Sequence, residues 1–207
     1  MQQRGRFITL EGGEGAGKST QARRLAAHLA ARGLPVLLTR EPGGAPGAEA
    51  MRRLLLGGQG LDPVAEALLV FAARRDHLVT TIRPALAAGI WVISDRFADS
   101  TRAYQGFGQG VAQAAIEQLA AVALEGFAPD LTLVLDLPVE TGMARARGRG
   151  VAADRYERLD TAFHQRIRDG FLGIAAAEPG RCALVDATPG ADAVAARIAT
   201  LVDDRLP

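Results

Sequence analysis

Four glycines at positions 12, 13, 15 and 17 run directly into Lys18 and Ser19. Gly12-Gly13-Glu14-Gly15-Ala16-Gly17-Lys18-Ser19 therefore matches the spacing G-x-x-x-x-G-K-[ST], which leaves a chain few folds to choose from. The glycines free the backbone to turn its N–H groups toward phosphate, the lysine reaches the β- and γ-phosphates, and the Ser19 hydroxyl is placed for Mg²⁺. Such a loop works between a strand and a helix, whose N-terminus adds a second attraction for anions. Both neighbours are present. Residues 7–11 form an apolar strand, and 18–32 a helix with Leu25, Ala26 and Leu29 on one face. Thr20 lies in the first turn of that helix. Lys18 is also the only lysine among 24 lysines and arginines, so a compact ammonium is used here and nowhere else.

The rest of the chain keeps the same rhythm. Apolar runs at 35–39, 90–94, 131–137 and 182–186 alternate with helical patterns at 47–56, 62–88 (broken), 111–125, 138–147, 158–177 and 190–205. Near-continuous apolar strands separated by helices predict an α/β fold with a five-stranded parallel sheet covered on both faces. A length of 207 residues suits a single domain, 1–207. The segment around 145–157 carries glycines among arginines between two helices and is expected to be a short lid. A net charge of +1 gives no strong field, so neither nucleic acid nor a membrane surface is an expected partner. Cys182 has no partner for an internal disulfide and is expected to be buried filler. His28, His77 and His164 lack metal-ligand spacing. No apolar run is long enough to span a bilayer, and no signal-peptide pattern precedes the first strand, so a cytoplasmic location is expected.

In a doubly wound sheet the ligand lies beyond the carboxyl ends of the strands. Asp95 ends the third strand and is the candidate Mg²⁺ holder beside Ser19, with Asp136 as its competitor. Arg96 follows at once and is placed to meet phosphate charge. Arg145, Arg147, Arg149, Arg155 and Arg158 suit a basic lid that excludes water and neutralises phosphates. Phe71 and Arg75 share a helix face at i,i+4, with Arg74 beside them, an arrangement able to stack on and hydrogen-bond a base.

Taken together, these segments resemble the thymidylate kinase family. The resemblance is carried by the glycine-rich loop, Thr39-Arg40-Glu41-Pro42-Gly43-Gly44, Phe71-Ala72-Ala73-Arg74, Asp95-Arg96-Phe97, Ala103-Tyr104-Gln105-Gly106 and Arg145-Ala146-Arg147-Gly148-Arg149. It implies a P-loop NTPase fold of the nucleoside-monophosphate-kinase kind, ATP and dTMP as substrates, Mg²⁺, and a homodimer. It implies that residues 12–20 (Gly12, Gly13, Glu14, Gly15, Ala16, Gly17, Lys18, Ser19 and Thr20) hold ATP. Glu14 would lie near the dTMP sugar and phosphate, and Arg96 would bridge donor and acceptor. Arg40 and Arg52 would line the monophosphate pocket, and Phe71 would stack on thymine. Thr101 and Gln105 would meet the pyrimidine edge, and Tyr104 would lie under C2′. Arg74 and Arg75 both remain candidates for reading the base. The loop carries no arginine of its own, as in the bacterial subtype whose lid supplies the charge; Arg147 or Arg149 would act there, with Arg155 next. A kinase for another nucleoside monophosphate is the alternative. A nucleotide-dependent switch is the weaker one, since without a second lysine an N-K-x-D guanine motif cannot be made.

Overall fold

The computed structural model describes residues 4–57, 60–148 and 155–207. Its centre is a parallel sheet of five strands in the order β2-β3-β1-β4-β5: β1 (Phe7–Glu11), β2 (Val36–Arg40), β3 (Trp91–Asp95), β4 (Leu131–Asp136) and β5 (Cys182–Asp186). All four pairings are parallel. β1 is buried along its whole length because it is the middle strand, flanked by β3 and β4. Alternate residues face opposite ways. Ile8 and Leu10 enter one core layer with Leu25 and Leu29 of α1 (Lys18–Ala31) and Val194, Ile198 and Val202 of α9 (Ala191–Arg205). Phe7 and Val92 enter the other, with Phe71 of α3 (Pro63–His77) and Ile116 of α6 (Gln113–Leu124). Thr9 and Thr132 lie side by side in β1 and β4, and their hydroxyls share a hydrogen bond of 2.9 Å, so neither is left dry and unpaired.

The expected strands are all present, shifted by a residue at most at their ends. Two helical stretches differ from expectation. Residues 62–88 run on rather than break: α3 continues through a π-helical turn (Leu78–Ile82) into α4 (Arg83–Ala87). The wider turn precedes Pro84, the residue that cannot donate a backbone hydrogen bond. The sequence after β3 forms a short α5 (Ala98–Thr101) and a second π-helical stretch (Arg102–Gly108), neither of which the apolar pattern announces. The stretch packs closely on α6: a Cβ on Gly106 would lie 2.3 Å from the Gln113 amide nitrogen and would have to displace that side chain. The remaining helices are α2 (Pro46–Gly57), α7 (Val139–Arg147) and α8 (Thr161–Ala177), the last capped by the Asp160 carboxylate, which accepts from the Phe163 N–H at 2.7 Å.

Candidate active site

The carboxyl ends of β1, β2 and β3 open into a cleft of about 510 Å³, where the strand order reverses around β1. The glycine-rich loop forms one wall. Gly12, Gly15 and Gly17 take φ values of 134°, 69° and 90°, a region costly for residues with a Cβ. Gly15 also lies against α7: a Cβ there would sit 1.9 Å from the Gly142 carbonyl oxygen. Lys18 opens α1, and its Nζ curls back to donate to the carbonyls of Gly12 (3.0 Å) and Gly13 (2.7 Å). Burial, and then the Arg96 charge, push the ammonium down to about 8. The Ser19 hydroxyl donates to the Asp95 carboxylate at the end of β3. Asp136 is committed elsewhere, since Arg168 grips both its oxygens at 2.7 and 3.0 Å.

Arg96 stands at the centre of the cleft with a left-handed backbone, φ 76°. Its guanidinium donates to Glu14 Oε1 at 2.7 Å, the Tyr104 hydroxyl at 2.8 Å, and Ser100 Oγ and the Gly12 carbonyl, both at 3.2 Å. Tyr104 in turn donates to the same Glu14 oxygen at 2.6 Å. Glu11 fixes the turn from below. Its buried carboxylate accepts from the Phe97 N–H (2.7 Å), the Ser100 N–H (3.3 Å) and Ser100 Oγ (2.6 Å). Burial, and then the nearby Asp99, push the Glu11 carboxyl up to about 7. Sequence reasoning missed Glu11 as a support, although an acid ending a fully buried, mostly apolar strand was the available signal.

The second half of the cleft lies between β2, α2, α3 and the π-helical stretch. Arg40 is paired with Glu49 at 3.0 Å, and Arg52 donates to the Pro42 carbonyl at 2.6 Å. Thr101, Tyr104 and Gln105 all line it. Arg74 does too, and it is buried. It donates to Glu41 (2.7 Å), Thr101 Oγ1 (3.0 Å) and the Phe97 carbonyl (2.9 Å). Behind it, His77 links Glu41 at 3.0 Å to the Thr39 hydroxyl at 2.8 Å, so Glu41 has a partner on each oxygen. Arg75 points the other way, to Glu125 (2.9 Å) and the Ala123 carbonyl (3.1 Å).

Several expected residues do not line the cleft: Phe71, Arg75, Arg147 and Arg155, and in the loop Gly12, Gly13 and Ala16. Phe71 is packed in the core with Phe7, Leu78 and Ile82, and Val70 lines the cleft in its place. One residue along a helix is a rotation of about 100°, enough to exchange core for cleft. Arg75 is excluded on the same ground. Arg147 is exposed and off the cleft, whereas Arg145 lines it and donates to the carbonyls of Ala187 (3.0 Å) and Thr188 (3.1 Å). Residues two apart on a helix do not share a face. Arg149 lies outside the described residues. Arg155 pairs with the buried Glu66. Beyond the expected set, Glu41, Val70, Ser100 and Tyr156 line the cleft.

This arrangement joins a phosphate loop to a second, arginine-lined pocket, the geometry of an enzyme with two phosphorylated substrates. A family model described as Thymidylate kinase matches residues 10–198. A thymidylate kinase of Caulobacter vibrioides is 55% identical over 204 residues, covering 98% of each chain. One of Bradyrhizobium diazoefficiens is 54% identical over 208 residues, covering 98% of this chain and 91% of the other. The crystal structure of thymidylate kinase from Ehrlichia chaffeensis superposes with a TM-score of 0.78 at 37% identity, covering 96% of this chain and 99% of that one. With its fold, its phosphate loop and nearly its whole length matched, the chain belongs to the thymidylate kinase family.

Proposed function

We propose that the protein transfers the γ-phosphoryl group of ATP to dTMP, releasing dTDP and ADP. The observation that carries this is the placement of Arg96. It lies between the Lys18–Ser19 end of the cleft and the pocket lined by Arg40, Arg52, Arg74 and Gln105. In the reaction an oxygen of the dTMP phosphate bonds to the γ-phosphorus as the bond to the ADP oxygen breaks. The attacking oxygen is already anionic, so no general base is needed, and catalysis rests on alignment and charge neutralisation. Lys18 would meet the β- and γ-phosphates, leaving its present carbonyl partners. Arg96 would face both phosphates, held in place by Glu14. Arg40 and Arg52 would take the acceptor phosphate, and Thr101, Gln105 and Arg74 the pyrimidine. Tyr104, fixed through Glu14 and Arg96, would crowd a ribose 2′-hydroxyl.

Ser19 and Asp95 offer adjacent oxygens at the phosphate end, a donor set suited to Mg²⁺ with phosphate oxygens and water completing it. The ion would draw charge from the phosphates. Among the described residues no helix is long and apolar enough to cross a membrane, in keeping with work in the cytoplasm, where ATP and nucleotides are met. A homodimer is supported by exposed apolar side chains on two adjacent helices: Val64 and Leu68 of α3 are 49% and 52% exposed, and Val122 of α6 is 79% exposed. Light scattering on purified protein should give twice the chain mass. The activity is tested by coupled ADP release with dTMP as acceptor. Turnover with AMP or GMP exceeding that with dTMP would overturn the reading.

A further inference from the structure

Glu66 is a buried carboxylate that the chemistry above does not use. It sits in the first turn of α3, whose N-terminus is capped by Asp62. Removing a carboxylate from water is unfavourable unless donors surround it. Four do. Oε1 accepts from Gln105 Nε2 (2.7 Å), Gln109 Nε2 (2.9 Å) and the Tyr156 hydroxyl (2.5 Å), and Oε2 pairs with the Arg155 guanidinium. Gln105 Nε2 also donates to the Tyr156 oxygen at 3.2 Å.

An amide nitrogen carries two hydrogens, and these two bonds spend both. The amide cannot reverse, because an ionised carboxylate only accepts and a carbonyl oxygen facing it would be repelled. Gln105 also lines the cleft, and its own oxygen is the amide atom left for a ligand. We propose that Glu66 is a positioning residue for acceptor selectivity: it holds Gln105 by the amide nitrogen, so at Gln105 the base meets only an acceptor. The proposal rests on the reading that the pyrimidine edge lies against Gln105. A 2,4-dioxopyrimidine brings an N3–H to that oxygen. Cytosine brings a bare N3, whose lone pair opposes it.

The test compares kcat/KM for dTMP and dCMP in wild type and Glu66→Gln. A carboxamide at this position both donates and accepts, so Gln105 is released to turn. The dTMP-to-dCMP ratio should narrow by ~10-fold, the worth of one neutral hydrogen bond, with the KM for ATP unchanged. A merely structural role lowers the folded fraction and scales both acceptors alike. An unchanged ratio in the variant, with dTMP preferred by the wild type, overturns the proposal alone; a wild type that does not prefer dTMP overturns the reading of the cleft as well. A measurement on the wild type is independent of the variant's folding. Isotope-labelled dTMP should show coupling through a hydrogen bond from its N3 to the Gln105 side-chain carbonyl carbon. Coupling from the Gln105 amide nitrogen to a thymine carbonyl would overturn the assignment.

Discussion

Replacing Glu11 by glutamine should change how stability depends on pH. The Glu11 carboxyl is fully buried, and burial with the Asp99 charge raises it from the ordinary 4.5 to about 7. Folding therefore takes up a proton between those values. The sign follows: the stability this group contributes is full below pH 4.5 and is lost as pH rises through about 7. At ~1.4 kcal/mol per pH unit, the gap corresponds to ~3 kcal/mol. Glu11→Gln keeps the shape and an oxygen for the Phe97 N–H but has nothing to titrate. Urea unfolding of both proteins between about pH 4 and about pH 8.5 gives two stability curves, and their difference cancels the other titrating groups. The wild type should lose ~3 kcal/mol relative to the variant across that range. Curves that stay parallel would refute the reasoning and would mean that Ser100, Phe97 and Arg96 hold the carboxylate ionised throughout.

Lys18→Arg should lower turnover by ~100-fold or more while leaving the thermal midpoint in place, because a fork replaces a point charge in a loop built around an ammonium; near-normal turnover would sink this. Arg74→Met leaves one oxygen of the buried Glu41 without its guanidinium, with His77 on the other, and should cost ~3–5 kcal/mol in urea unfolding. Arg75→Met should leave both the unfolding midpoint and the KM for dTMP unchanged, and equal effects from the two would contradict their opposite placement. Phe71→Ala should destabilise by ~3–5 kcal/mol through a core cavity. Its KM for dTMP, measured on folded protein, should stay within about twofold of wild type, as expected for a side chain off the cleft.

Much of the fold was legible because its signals are local. The strands are apolar runs, the loop is a spaced motif, and five parallel strands follow from helices between them. The phosphate end of the site was legible for the same reason: Lys18 and Ser19 open the helix that follows β1 through the spaced loop, and Asp95 and Arg96 lie at the end of β3, where the topology places ligands. The base end was legible only in part: Arg74, Thr101, Tyr104 and Gln105 line the cleft as the resemblance implies, and Phe71 and Arg75 do not. There the side chains come from helices, and a single position decides between core and cleft, as Phe71 and Val70 show. Arg74 and Arg75 could not be told apart from spacing, because what separates them is Glu41 on one side and Glu125 on the other. Glu66 was invisible for a different reason. One acidic residue near a helix start reads as a favourable charge at the positive end of a dipole, and nothing in the sequence says that Gln105, Gln109 and Tyr156 converge on it.

The contact between Gly15 and Gly142 has a mechanical meaning. A Cβ on Gly15 would overlap the Gly142 carbonyl, and a Cβ on Gly142 would lie 2.4 Å from the Glu14 carbonyl oxygen. The phosphate loop and the first half of α7 are thus seated backbone to backbone, with no side chain between them to act as a cushion. Tilting α7 about its middle would drive it into the loop that holds Lys18. The loop and the first half of α7 therefore share one packing surface, and a side chain added to either glycine would push the two apart. Nucleotide seated on the loop then rests on a backbone that α7 backs directly.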